Sequence, residues 1–134
     1  NPMNRKELID HAFNAMNNSY APYSQFHVGA ALATTDGRVF YGANIENASY
    51  GATNCAERSA MFSAYSNGVR KQEIQAIAIV ADGETIASPC GICRQVMAEL
   101  LNEDTPVYLS NGKKEMDLTV KDLLPYAFTQ EDLK

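Results

Sequence analysis

Between residues 5 and 18, apolar side chains return at Leu8, Ile9, Ala12, Phe13 and Met16, with polar residues between them. Steps of three and four place these on one face of a helix. A loop marked by Pro22 and Ser24 follows, and then the pattern changes. Residues 26–35 are mostly small and apolar and read as a strand. Asp36-Gly37 is a hairpin signal, and residues 38–43 form the return strand. Residues 44–54 keep neither period. Eleven polar-rich positions are long for a connection in a compact domain, which marks them as a functional loop.

The second half alternates. Residues 55–65, rich in Ala, Met, Glu and Arg, predict a helix stopped at Asn67-Gly68. The run I-Q-A-I-A-I-V-A at 74–81 predicts a buried strand, and residues 90–101 a helix entered through Ser88-Pro89. A strand at 106–110, a hairpin signal at Asn111-Gly112, a short strand at 115–118 and a brief helix at 119–124 before Pro125 complete the chain. The order α-β-β-α-β-α-β-β-α predicts an α/β fold with a mixed central sheet of about five strands between helices. The strand-helix-strand crossovers supply parallel strands and the hairpins antiparallel ones.

Composition narrows the class. A chain of 134 residues is one domain, spanning 1–134, and 46% hydrophobic content suffices for a core. No apolar run reaches the roughly 20 residues that cross a bilayer, and no leader pattern suggests secretion. Asn1-Pro2 ahead of Met3 reads as an appended pair outside the fold. The formal net charge is −5 and no basic block exists, so a nucleic-acid partner is not expected, nor a membrane. The expected partner is a small molecule.

Three cysteines, an odd number, argue against a disulfide framework and for a reducing, cytoplasmic setting. All three fall in two short stretches, T-N-C-A-E-R-S-A at 53–60 and S-P-C-G-I-C-R-Q-V at 88–96. Both stretches cross from loop into helix, where free N–H groups and the helix dipole favour thiolate. Cys90 and Cys93 lie one turn apart on one helix face. With Cys55 they make three soft ligands and leave a fourth position open, the arrangement of one catalytic zinc per chain. His11 and His27 have no motif around them and are not expected to supply a fourth ligand.

Three thiolates on Zn²⁺ carry a net negative charge, which weakens activation of water unless it is offset. Arg58, one turn from Cys55, and Arg94, beside Cys93, are the candidates to donate to sulfur. Glu57, two residues from Cys55, faces away from that ligand's direction and so is expected beside the open position, as general base and then general acid. A redox C-x-x-C pair would leave Cys55 and Glu57 without a role, and a structural zinc module would need a fourth ligand.

C-A-E-R at 55–58 and P-C-G-I-C-R-Q at 89–95 resemble the small homotetrameric cytidine deaminases, in their three-cysteine branch. A-P-Y-S-Q-F (21–26), V-G-A-A-L (28–32), N-I-E-N-A-S-Y (44–50) and L-L-P-Y-A-F (123–128) are similar to further segments of that family, so the likeness covers nearly the whole chain. The resemblance implies a three-layer α-β-α fold and hydrolytic deamination of cytidine and 2′-deoxycytidine in pyrimidine salvage. It implies that zinc-bound hydroxide attacks C4 while Glu57 shuttles protons. The Ala56 N–H and the Ser88 carbonyl would hold the base edge, Phe26 would pack on the base, and Asn44 and Glu46 would bind ribose hydroxyls. Phe128 would reach the site of a neighbouring subunit in a homotetramer. Spacing agrees at one point: Asn44 and Glu46, two apart in extended backbone, share a side, and a carboxylate there favours a free nucleoside over a nucleotide. N-I-E and Arg58 also resemble the cytidine enzymes more than the blasticidin-type aminonucleoside deaminases, which share the metal motif. Ile92, between the paired cysteines where the family often has Ala, is expected to point away from the metal.

Overall fold

The computed structural model describes residues 3–133; Asn1 and Pro2, expected from the sequence to stand outside the fold, lie outside the described residues. A helix α1 (Arg5–Met16) is followed by β1 (Val28–Thr34), β2 (Val39–Ala43), α2 (Ala56–Ser66), β3 (Ile74–Ala81), α3 (Gly91–Leu100), β4 (Pro106–Ser110), β5 (Glu115–Thr119) and a single turn α4 (Val120–Leu123). Three short 3₁₀ turns, at Tyr50–Ala52, Lys71–Glu73 and Gln130–Leu133, carry no periodic signal in the sequence.

The five strands form one mixed sheet in the order β2-β1-β3-β4-β5. Only β3 and β4 pair in parallel; β1 is antiparallel to both β2 and β3. The two crossovers explain this. The connection through α3 joins neighbours and makes them parallel. The connection through α2 passes over β1, so β2 and β3 point the same way without touching.

Alternate side chains of the sheet face two helix layers. Ala31, Ala33, Ala76, Ala78 and Val80 pack under Leu8, Ile9 and Ala12 of α1. Ala30, Leu32, Ile77 and Ile79 pack with Ala60, Met61 and Ala64 of α2 and Met97 of α3 on the other face. The expected three-layer arrangement is therefore present, with one helix against three.

Two glycines set how closely the helices sit. A Cβ on Gly29 would lie 2.2 Å from the Ala12 carbonyl oxygen of α1. On Gly42 it would lie 2.1 Å from the Ala56 oxygen in the first turn of α2. The sheet thus admits each helix only where the strand has no side chain.

One strand boundary differs from the expected one by more than a residue. β1 begins at Val28, and Phe26 and His27 belong to the preceding loop. Gln25, at φ 57°, turns the chain just before them, and the Phe26 carbonyl accepts from the Asn44 side chain instead of a strand.

Candidate active site

Helices α1 and α4 are capped in the ordinary way. Asn4 and Glu7 form a capping box on the first, and Thr119 and Asp122 on the second. Helices α2 and α3 are different. Their N-cap residues are Cys55 and Cys90, and neither side chain makes a capping hydrogen bond. First-turn N–H groups have no partner inside a helix. Here a thiol replaces the Ser, Thr or Asn that would occupy them, so both helix starts keep their donors and dipole ends directed at the sulfurs.

The two starts converge. Cys55 and Cys90 have their sulfurs 3.9 Å apart, Cys90 and Cys93 3.4 Å, and all three sulfurs lie within 4.8 Å of one another. Cys93 is buried, Cys55 half-buried and Cys90 exposed. A tetrahedral zinc at about 2.3 Å from each sulfur needs sulfurs about 3.8 Å apart, close to the separations found here, so the trio is spaced to hold such an ion. Among the described residues no histidine, aspartate or glutamate joins the group, which leaves such an ion an open position.

The electrostatics match the chemistry of the donor set. The Cys93 thiol and the Arg58 guanidinium, Nη2 at 3.3 Å, hydrogen-bond the Cys55 sulfur and pull its pKa down to about 5. Cys93 shifts the opposite way, because its proton is held against Cys55 and its sulfur is buried. Three sulfurs this close cannot all ionise unaided; a cation among them draws off the remaining protons. Arg58 Nε is buried with no hydrogen-bond partner, while its Nη2 is turned to the Cys55 sulfur.

Arg94 departs from the expectation that it donates to sulfur. Its Nε donates to the Pro89 carbonyl at 2.7 Å and its Nη1 to the Leu123 carbonyl at 3.0 Å. One residue on from Cys93, it points to another side of α3, towards the C-terminal end of α4, where carbonyls lack helical partners. Arg94 ties the start of α3 to α4, and only Arg58 reaches a sulfur.

Beside the sulfurs opens a cavity of about 240 Å³, lined by Phe26, Asn44, Glu46, Cys55, Ala56, Glu57, Ser88 and Cys90 among others. Five of the six expected substrate residues therefore share one space with Glu57 and two of the sulfur ligands. Glu57 is 5% exposed, and burial pushes its pKa up to about 7. Glu46 is the opposite kind of carboxylate. The Ser24 hydroxyl and the Ser24 and Tyr23 N–H groups, at 3.1 and 3.0 Å, hold it below its usual range and thus ionised. Asn44 is largely committed within the chain: its Nδ2 donates to the Phe26 carbonyl at 2.7 Å and its Oδ1 accepts from the Val28 N–H at 2.9 Å.

The sixth expected residue, Phe128, lies outside this cavity. Its side chain is 59% exposed, and its carbonyl accepts from Gln95 on α3 at 2.8 Å. Ile92 is also exposed. His11 bonds Tyr41, and His27 bonds Ser19; neither is near enough to the sulfurs to join them. Sequence reasoning gave Ser19, Ser24 and Thr53 no role in the site, although all three bond to or line the loop that holds Asn44 and Glu46. Their only signal was hydroxyl side chains close to a polar loop.

Comparison with known proteins agrees with this geometry. Residues 2–109 match the family described as the cytidine and deoxycytidylate deaminase zinc-binding region. The chain is 56% identical over 132 residues to the cytidine deaminase of Halalkalibacterium halodurans, covering 98% of each chain. It is 50% identical to the crystal structure of cytidine deaminase from Burkholderia pseudomallei, with a TM-score of 0.90 over 94% of this chain and all of that one. A crystal structure of cytidine deaminase from Mycobacterium tuberculosis is 37% identical, with a TM-score of 0.78 over 94% and 98% of the two chains.

Proposed function

The chain belongs to the cytidine deaminase family and is a hydrolytic deaminase, and from that premise we propose that it converts cytidine and 2′-deoxycytidine, with water, to uridine or 2′-deoxyuridine and ammonia. Its setting is pyrimidine salvage in the cytoplasm.

Cys55, Cys90 and Cys93 hold one zinc per chain, which when bound supplies an acidified water as the nucleophile for C4. Arg58, bonded to the Cys55 sulfur, offsets the charge that three thiolates bring. Glu57 takes a proton from the attacking water and passes it to N3, then takes the second from the new C4 hydroxyl and delivers it to the amine as that group leaves as ammonia. Burial raises the proton affinity of its carboxyl, as a group that must both accept and return a proton requires.

The remaining cavity residues hold the nucleoside still. The Ala56 N–H, at the first position of α2, and the Ser88 carbonyl take the base edge. Phe26 packs on its face, and Asn44 and Glu46 take the sugar hydroxyls. Phe128, exposed on its own chain, serves the cavity of a neighbouring subunit in a homotetramer.

One observation carries this reading: a buried carboxyl and a three-sulfur cluster open on the same cavity. The test mixes the protein with cytidine and follows the ultraviolet change and ammonia release alongside zinc content. Turnover with one zinc per chain is the expected result. Zinc without turnover, or a fourth protein ligand on the metal, would refute it. Faster turnover of blasticidin S than of cytidine would assign the site to the related aminonucleoside deaminases.

A further inference from the structure

A hydroxyl and an imidazole stand in line behind Asn44, and the reaction just described gives neither a task. Asn44 lines the cavity, is 9% exposed, and has its backbone fixed at both ends: Tyr20 N–H donates to its carbonyl at 2.9 Å, and its own N–H donates to Val28 O at 3.3 Å. What remains to be set is which end of its side-chain amide faces which way.

Two groups of fixed polarity bear on that choice. A backbone N–H only donates, and that of Val28 is 2.9 Å from Asn44 Oδ1. A backbone carbonyl only accepts, and that of Phe26 is 2.7 Å from Asn44 Nδ2. The Ser19 hydroxyl gives its single proton to the same Oδ1 and fills the oxygen's second lone pair. With that proton given, Ser19 Oγ must accept from its other neighbour, His27 Nδ1, at 3.0 Å. The polarity therefore runs one way, from His27 Nδ1–H to Ser19 Oγ–H to Asn44 Oδ1. His27 is held in place to do this by a backbone exchange with Asp82: its N–H donates to Asp82 Oδ1 at 3.1 Å, and the Asp82 N–H donates to its carbonyl at 3.2 Å.

An amide carries two N–H groups, and the Phe26 carbonyl takes one. We infer that Ser19 and His27 are positioning residues that lock the Asn44 amide with its oxygen turned into the protein and its second N–H offered to the sugar. The cavity then presents one donor, Asn44, beside one acceptor, the ionised Glu46, on a single side of the 44–46 segment. A hydroxyl satisfies both at once. A group that only donates or only accepts satisfies one. This inference rests on the nucleoside reading for its substrate, but the hydrogen-bond chain itself is a property of the protein alone.

Two measurements on the zinc-loaded enzyme separate those parts. Long-range ¹⁵N–¹H spectra, in buffer alkaline enough to keep imidazole neutral, read the His27 tautomer. The relay requires Nδ1–H in the parent and in Ser19→Thr, with reversion to Nε2–H in Ser19→Ala. Nε2–H in the parent overturns it, whatever the substrate. Kinetically, Ser19→Ala raises KM for cytidine about three- to tenfold, the worth of one hydrogen bond, with kcat within about twofold of the parent. Its inhibition constant for 2′,3′-dideoxycytidine, which lacks the hydroxyls in question, stays at the parent value, and Ser19→Thr restores KM. An equal loss with the dideoxy compound, or a loss confined to kcat, overturns the positioning role. Failure of the parent itself to turn over cytidine would instead refute the function, and the tautomer would still decide the relay.

Discussion

Cys55 and Glu57 stand two positions apart, and their substitutions have different expected consequences. Glu57→Gln keeps the size and most hydrogen bonding of the side chain but removes its titrating proton. Turnover is expected to fall by about 10²–10⁴-fold, the general acid–base contribution, with one zinc per chain still bound and cytidine still binding. Steady-state kinetics beside metal analysis checks this; a loss of less than about tenfold would remove Glu57 from the proton-shuttle role. Cys55→Ala removes a ligand instead, so zinc and activity are expected to disappear together. Metal analysis showing full zinc in that variant would refute the three-sulfur site. These residues were legible in the sequence because their chemistry is local: a thiol or carboxyl at a helix start is visible as a letter in a pattern. Arg94 was not. A residue beside Cys93 can turn to sulfur or away from it, and the carbonyls of Pro89 and Leu123, the second supplied by a helix 29 residues on, decide the direction.

At the scale of elements, the site depends on how deeply α2 seats on the sheet. Gly42 permits this, with the Ala56 oxygen where a Cβ would stand. Gly42→Ala is expected to push the first turn of α2 outward, destabilising the fold by about 1–3 kcal/mol in urea unfolding and lowering kcat/KM at temperatures where the variant is still folded. Gly29→Ala makes the same clash with α1, on the opposite face of the sheet. It is expected to cost similar stability while leaving kcat/KM of the folded protein near the parent value. Equal activity losses in the two would show that helix seating as such, not the placement of Cys55 and Glu57, is what the enzyme senses. The helix positions themselves followed from periodicity. Their depth did not, since a glycine in a strand marks close approach without saying by what.

For the molecule as a whole, the fields of its charges bear on substrate choice. The net charge is −5, and Glu46 is an ionised carboxylate at the cavity wall. A phosphate brought there meets like charge and is repelled, in part screened by solvent and salt. Cytidine monophosphate is therefore expected to show kcat/KM about tenfold or more below cytidine, with added salt narrowing the gap. Comparable efficiency on the nucleotide would remove Glu46 from the sugar site. Zinc should also stabilise the fold, because it ties together the starts of two helices through their thiols. A chelator is expected to lower Tm and zinc to restore it; an unchanged Tm would mean the trio binds no ion in the folded protein.

What the sequence determined by itself is what local chemistry and periodicity carry. That covers the helices and strands, the hairpins at Asp36-Gly37 and Asn111-Gly112, and three thiols with a carboxyl at two helix starts. These survive any arrangement of the elements, because they depend on neighbours within a few residues. The antiparallel placement of β1 between β2 and β3 depended on long-range pairing, and so only the folded sheet decided it. The same holds for the convergence of Cys55 with Cys90 across 35 positions, the side to which Arg94 turned, and the line from His27 through Ser19 to Asn44. Each joins groups whose separation in the chain says nothing of their separation in space, and packing of the three layers alone brings them within hydrogen-bonding or ligand distance.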